Sequence, residues 1–133
     1  MSFRMSLAVV LVAASLQPAF AGTELAGPEG VPWWKSLAAC AGVELRQRDL
    51  ALDAKAPQAD VAKMTVAMNG YNTAATQRLM ADLGIEEVAA KKSVYRWAAM
   101  SWQKLLDTKA SLKDVGAKSA ACEALAAKAP KIQ

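Results

Sequence analysis

Apolar residues recur along most of this chain at the spacing of a helix face, and the stretch after residue 31 holds no alternating run of β-branched residues. That periodicity predicts an all-α fold of four helices. The first helix opens at Pro32, where a missing N–H is no loss, and runs to about Ala56. Its stripe is Trp34, Leu37, Ala41, Leu45 and Leu52. Glu44 and Arg48 stand four apart, a spacing that lets them pair on its surface. The second runs from about Pro57 to Gly84, a residue suited to the left-handed position after a helix end. Val61, Met64, Met68, Tyr71, Ala75 and Leu79 share one of its faces. Asn69-Gly70 is a turn signal inside it, but the stripe keeps phase across the glycine, so a continuous helix is expected. The third begins at Glu86-Glu87, whose charges suit the positive end of a helix dipole, and ends near Asp107 or Thr108. Its predicted inward stripe is Ile85, Val88, Tyr95, Ala99, Trp102 and Leu106. The fourth starts after Ser111, which with Asp114 forms a capping-box-like pair. It carries Leu112, Val115, Cys122, Leu125 and Ala129 before Pro130 stops it.

Short connections favour antiparallel neighbours, so the expected fold is an up-down-up-down four-helix bundle. The two cysteines fit that topology. Cys40 lies about 12 Å along the first helix from Pro32, and Cys122 about 10 Å before the end of the fourth, at 1.5 Å per residue. In an antiparallel bundle these positions share a layer, which predicts a Cys40–Cys122 disulfide between helices 1 and 4. Closing a loop of roughly eighty residues is worth about 4.5 kcal/mol by chain entropy.

The amino-terminal segment changes the setting. Residues 1–21 hold a basic residue, Arg4, an apolar run from Leu7 to Ala14, a helix-breaking Pro18 and then Ala19-Phe20-Ala21. This is the layout of a secretory signal peptide with cleavage near Ala21. The expectation is a periplasmic or secreted protein, in a compartment that permits disulfides. Gly22 and not Cys follows the cut, so no amino-terminal lipid anchor is expected, and no transmembrane segment remains after cleavage. Residues 22–31 read as a flexible leader, and 32–133 as a single helical bundle domain.

Composition removes many chemistries. The chain has 133 residues, no histidine and a formal net charge of +4, which falls to +3 when Arg4 leaves with the signal. Weak basicity with interleaved Asp and Glu is no nucleic-acid footprint. Without histidine the commonest general base and metal ligand are absent. No Gly-rich phosphate loop, Ca²⁺-loop spacing or Cys/His metal cluster occurs, so neither cofactor nor metal is expected. Lys91-Lys92-Ser93 and Lys118-Ser119 are the remaining hydrolytic pairs, and adjacent residues point to different helix faces. The expectation is a non-enzymatic protein.

Four tryptophans, Trp33, Trp34, Trp97 and Trp102, direct attention to binding. Trp33 and Trp34 point about 100° apart around their helix, and Trp97 lies off the main stripe of the third, so the three cannot all be inside. Tyr95, Arg96 and Trp97 are residue types enriched at binding hot spots. Together Trp33, Trp34, Tyr95, Arg96 and Trp97 form the candidate surface for an envelope protein partner. An exposed Trp33 beside a free leader also suits membrane-surface contact. The alternative is carriage of a small apolar ligand in an inter-helix pocket lined by Met64, Met68, Tyr71 and Trp102. Inward-pointing Tyr71 and Tyr95 would need buried partners, with Asn72 or Gln103 as candidates.

Overall fold

A computed structural model describes residues 22–132; the signal-peptide expectation falls on residues outside this range. Four helices follow one 3-10 turn at Pro28–Gly30: α1 (Trp33–Asp53), α2 (Gln58–Leu83), α3 (Glu87–Asp107) and α4 (Leu112–Lys128). Pro32 and Pro57 stand at the N-cap positions of α1 and α2, one residue before the first helical position expected for them from sequence. α2 is continuous through Gly70. Its end is set by Gly84, at φ +64°, whose N–H donates to the Met80 carbonyl at 2.8 Å. Ser111 Oγ accepts the Asp114 N–H at 3.1 Å, the cap that the sequence predicts for α4.

α1 lies at the centre. It packs against α2, α3 and α4, and α2 also packs against α3. Its amino-terminal half is therefore buried around most of its circumference, from Trp33 and Trp34 through Leu37, Ala38, Cys40, Ala41, Gly42, Val43 and Glu44. One apolar cluster joins Trp34, Leu37 and Ala38 to Ala75 and Leu79 of α2 and Ala90 and Val94 of α3. A second joins Cys40 and Val43 to Leu105 of α3 and Val115 and Cys122 of α4. The Cys40–Cys122 disulfide is formed, with the two Cα atoms 5.7 Å apart. Next to it the Ser119 hydroxyl donates to Glu44 Oε1. Glu44 thus bonds across to α4 rather than pairing with Arg48 on the surface of its own helix.

The face of α3 differs from the predicted one. Val88 is 81% exposed and Tyr95 52% exposed, and Ala99 and Leu106 also face solvent. The buried residues are Ala90, Val94, Ala98 and Leu105. Gly42 explains the choice. A Cβ there would press into the Ala98 carbonyl and lie 2.8 Å from Ser101 Cβ. The two backbones approach so closely that only the small-residue side of α3 fits, and Ser101 Oγ donates to the Ala39 carbonyl at 2.9 Å. Bulky Val88 and Tyr95 on that side would hold the helices apart. Leu52 and Leu112 likewise leave their predicted stripes, at 54% and 44% exposure, because both lie near the ends of their helices.

The leader is not free. It folds back on itself, with Gly27 N–H donating to Val31 O at 2.7 Å and Trp33 N–H to Leu25 O at 2.9 Å. Leu25 N–H also reaches Asp82 Oδ2 on α2 at 2.9 Å. Arg78 holds the same carboxylate at 2.9 Å. Residues 22–32 therefore strap the start of α1 to the end of α2.

Candidate functional site

The proposed aromatic surface divides into two parts. Trp33 and Trp34 are buried, at 7% and 6% exposure. The exposed Trp33 expected from sequence is corrected here: the strap turns over it, with Gly27 packed against its ring. Trp34 Nε1 donates to Glu24 of the same strap at 3.1 Å. Trp34 meets Trp97 edge to face, with centroids 6.1 Å apart. Trp97 is half-buried, and Lys35 Nζ stands 4.5 Å from its ring centroid. This cage already holds a cation from its own chain.

Tyr95 and Arg96 are on the other side of the division. Both are exposed, on the outer side of α3. Val88, Tyr95, Ala99 and Leu106 follow one another at sevens and fours, with half-buried Trp102 in phase. They form a second apolar stripe about 110° around α3 from the buried one. Lys92 and Arg96 stand beside it. Among the described residues the ion pairs are Arg78–Asp82 and Lys91–Glu87, so neither Lys92 nor Arg96 has an acidic partner.

The four residues of the alternative pocket are not brought together. Met64 and Tyr71 line a groove between α2 and α4 that is floored by α1. Met68 is half-buried without lining it. Trp102 belongs to the α1–α3 side, where its Nε1 donates to Asp49 Oδ2 at 2.8 Å. The expected tyrosine partners are also absent. Tyr95 points to solvent, Gln103 bonds to Asp107 on its own helix, and Asn72 Oδ1 is buried without a partner.

Glu44 is the residue that sequence reasoning assigned to the surface and the fold buries, at 3% exposure. A signal was present: it stands seven residues after Leu37 and three after Ala41, in phase with the core stripe. Burial pushes its carboxyl above the ordinary range, the Ser119 hydrogen bond works against that shift, and nearby Glu123 adds to it. Tyr71 is raised as well, by burial first and then by Glu44 and Glu123. Two of the Ser-Lys candidates have other partners. Ser119 bonds to a carboxyl, and Lys91 pairs with Glu87 at 2.9 Å. No group of three His, Cys, Asp or Glu residues among those described could hold a metal. Comparison with protein families, curated proteins and solved structures finds no match.

Proposed function

We propose that this chain is an exported, non-catalytic binding protein that docks an amphipathic helix of another envelope protein along the outer face of α3. The observation that carries this reading is the second apolar stripe of α3, Val88, Tyr95, Ala99 and Leu106, left without a partner in its own fold. Its spacing is that of a helix-packing seam. Unpaired Lys92 and Arg96 beside it call for acidic flanks on the incoming helix. Trp97 supports the face from behind through its contact with Trp34. Trp34 acts in this reading as part of the core beneath and Trp33 as the seat of the strap, neither as a contact residue.

Export is supported by the signal-like residues 1–21 and by the disulfide. No helix among the described residues is long and apolar enough to cross a membrane. The reading takes the helices as alternating up and down. The cross-helix pairs Cys40–Cys122 and Glu44–Ser119 support this, since they run in opposite senses along α1 and α4.

The test is a photoreactive residue placed at position 99, within the same stripe, in the exported protein. The expected product is a crosslink to an apolar helix with acidic flanks. Tyr95→Ala combined with Arg96→Glu should remove that product while leaving helicity intact. A crosslink unaffected by the pair, or one equal to that from a probe at Lys113, would refute the assignment. A second reading, carriage of a small ligand, is favoured by Met64 and Tyr71 lining one groove.

A further inference from the structure

The groove between α2 and α4 has two chemically different halves that meet at Ala67 and Tyr71. One half, about 440 Å³, is bounded by Glu44, Glu123 and Asp60, with Lys63, Met64 and Leu112. The other, about 670 Å³, is mostly aliphatic, with Leu37, Ala74, Ala126, Ala129 and Ile132, and also carries Arg78 and Lys131. Small residues, Ala67, Gly70, Ala74, Ala126 and Ala129, line much of this half. A Cβ at Gly70, on the α2 wall, would meet nothing within 4 Å.

Charge in the first half opposes that of the molecule. The chain carries a net +4, yet this lining sets three carboxylates against one lysine. Glu44 is only 3% exposed and lies in the groove floor. Ser119 occupies its Oε1 and leaves Oε2 to accept another hydrogen bond. Neither Glu44 nor Glu123 has a Lys or Arg partner among the described residues. The carboxylates do not converge on a metal-binding point either. A buried carboxyl without a countercharge is costly, and a cation brought to it restores the balance. The Tyr71 ring beside it adds a face that attracts cations.

The geometry points to a binding site for a small amphiphilic amine, its ammonium group donating to Glu44 near Glu123 and its alkyl tail running past Tyr71 between the alanines of α2 and α4. The proposal rests on the ligand-carriage reading and gives it a ligand class. It is independent of the α3 face. An N–H-bearing ammonium suits the free Oε2 better than a quaternary one, which has no proton to donate.

The experiment is an amide NMR titration of the mature, disulfide-bonded protein with n-octylammonium chloride, and in parallel with n-octanol. The expected result is saturable shifts at Glu44, Tyr71, Glu123 and Ala126. Octylammonium should bind at least about ten-fold more tightly than octanol. Glu44→Gln should remove that preference while keeping an acceptor for Ser119. Glu123→Gln, on the exposed rim, should weaken octylammonium a few-fold without any folding risk. Equal affinity for octanol at these residues would overturn the amine assignment and leave ligand carriage standing. Absence of shifts with either probe would overturn both. Retention of the preference in both variants would also overturn the amine assignment.

Discussion

α3 and α4 both pack on α1, but by different physical means. α3 is held by close approach: Gly42 receives the Ala98 backbone, and Ala90, Val94, Ala98 and Leu105 are buried. α4 buries only Val115 and Cys122, and adds a disulfide and the Ser119–Glu44 hydrogen bond. The first interface depends on backbone proximity, which multiplies weak dispersion contacts. The second depends on a covalent link that limits how far α4 can depart. The difference teaches how the two helices would come away from α1. A helix held by point attachments leaves open space along its flank, and the groove between α2 and α4 is lined on one side by such a helix.

The comparison can be broken most strongly at the disulfide. Cys40→Ser, or reduction, removes a link between residues 82 apart in sequence. The expected loss is about 4.5 kcal/mol, which lowers the Tm by more than about 10 °C. Hydrogen exchange should then accelerate first in α4, while α1–α3 amides near Leu79 and Val94 stay protected. Identical melts with and without reductant would show that α4 is packed as α3 is.

Gly42→Ala attacks the other interface. The added methyl meets backbone, which cannot rotate aside, so about 1–3 kcal/mol of stability should be lost. Chemical denaturation reads it, and the exchange of α4 relative to α3 gives the contrast with the cysteine variant. A neutral Gly42→Ala would mean that close approach does not decide the face of α3.

The smallest expected effect sharpens the polar half of the α4 attachment. Glu44 has a carboxyl raised from the usual value of 4.5, by burial first. The folded state therefore holds its proton more tightly than the unfolded chain. Stability is favoured below the ordinary pKa and declines as pH rises from about 4.5 through the raised folded value. Glu44→Gln should remove this decline, so the Tm difference between variant and native protein should move in the variant's favour with rising pH. A difference that stays constant across that range would show Glu44 to be ordinary in both states.

Much of the candidate site was illegible for a specific reason. Tyr95 and Val88 share a stripe with Trp102 at sevens, so periodicity alone marks that stripe as a core face. Alanine is equally at home on either side of a helix. Periodicity therefore gave no weight to Ala90 and Ala98, the residues that face α1. Trp33 was misplaced for a different reason. Its exposure depends on whether the Gly-rich segment before it folds back, and the contact of Leu25 with Asp82 spans 57 residues of chain.

Local sequence by itself determined the helices and their ends, through Pro32, Pro57, Gly84 and the Ser111 cap, because capping chemistry and backbone geometry act within a few residues. It also determined the Cys40–Cys122 bridge, since helix rise converts sequence position into height along a bundle. Only the tertiary structure decided that α1 is central, that α3 turns its small residues inward, and that Glu44 lies at the floor of a groove. Those choices depend on how near two backbones can come. That distance is set jointly by residues far apart in the chain, Gly42 with Ala98 above all.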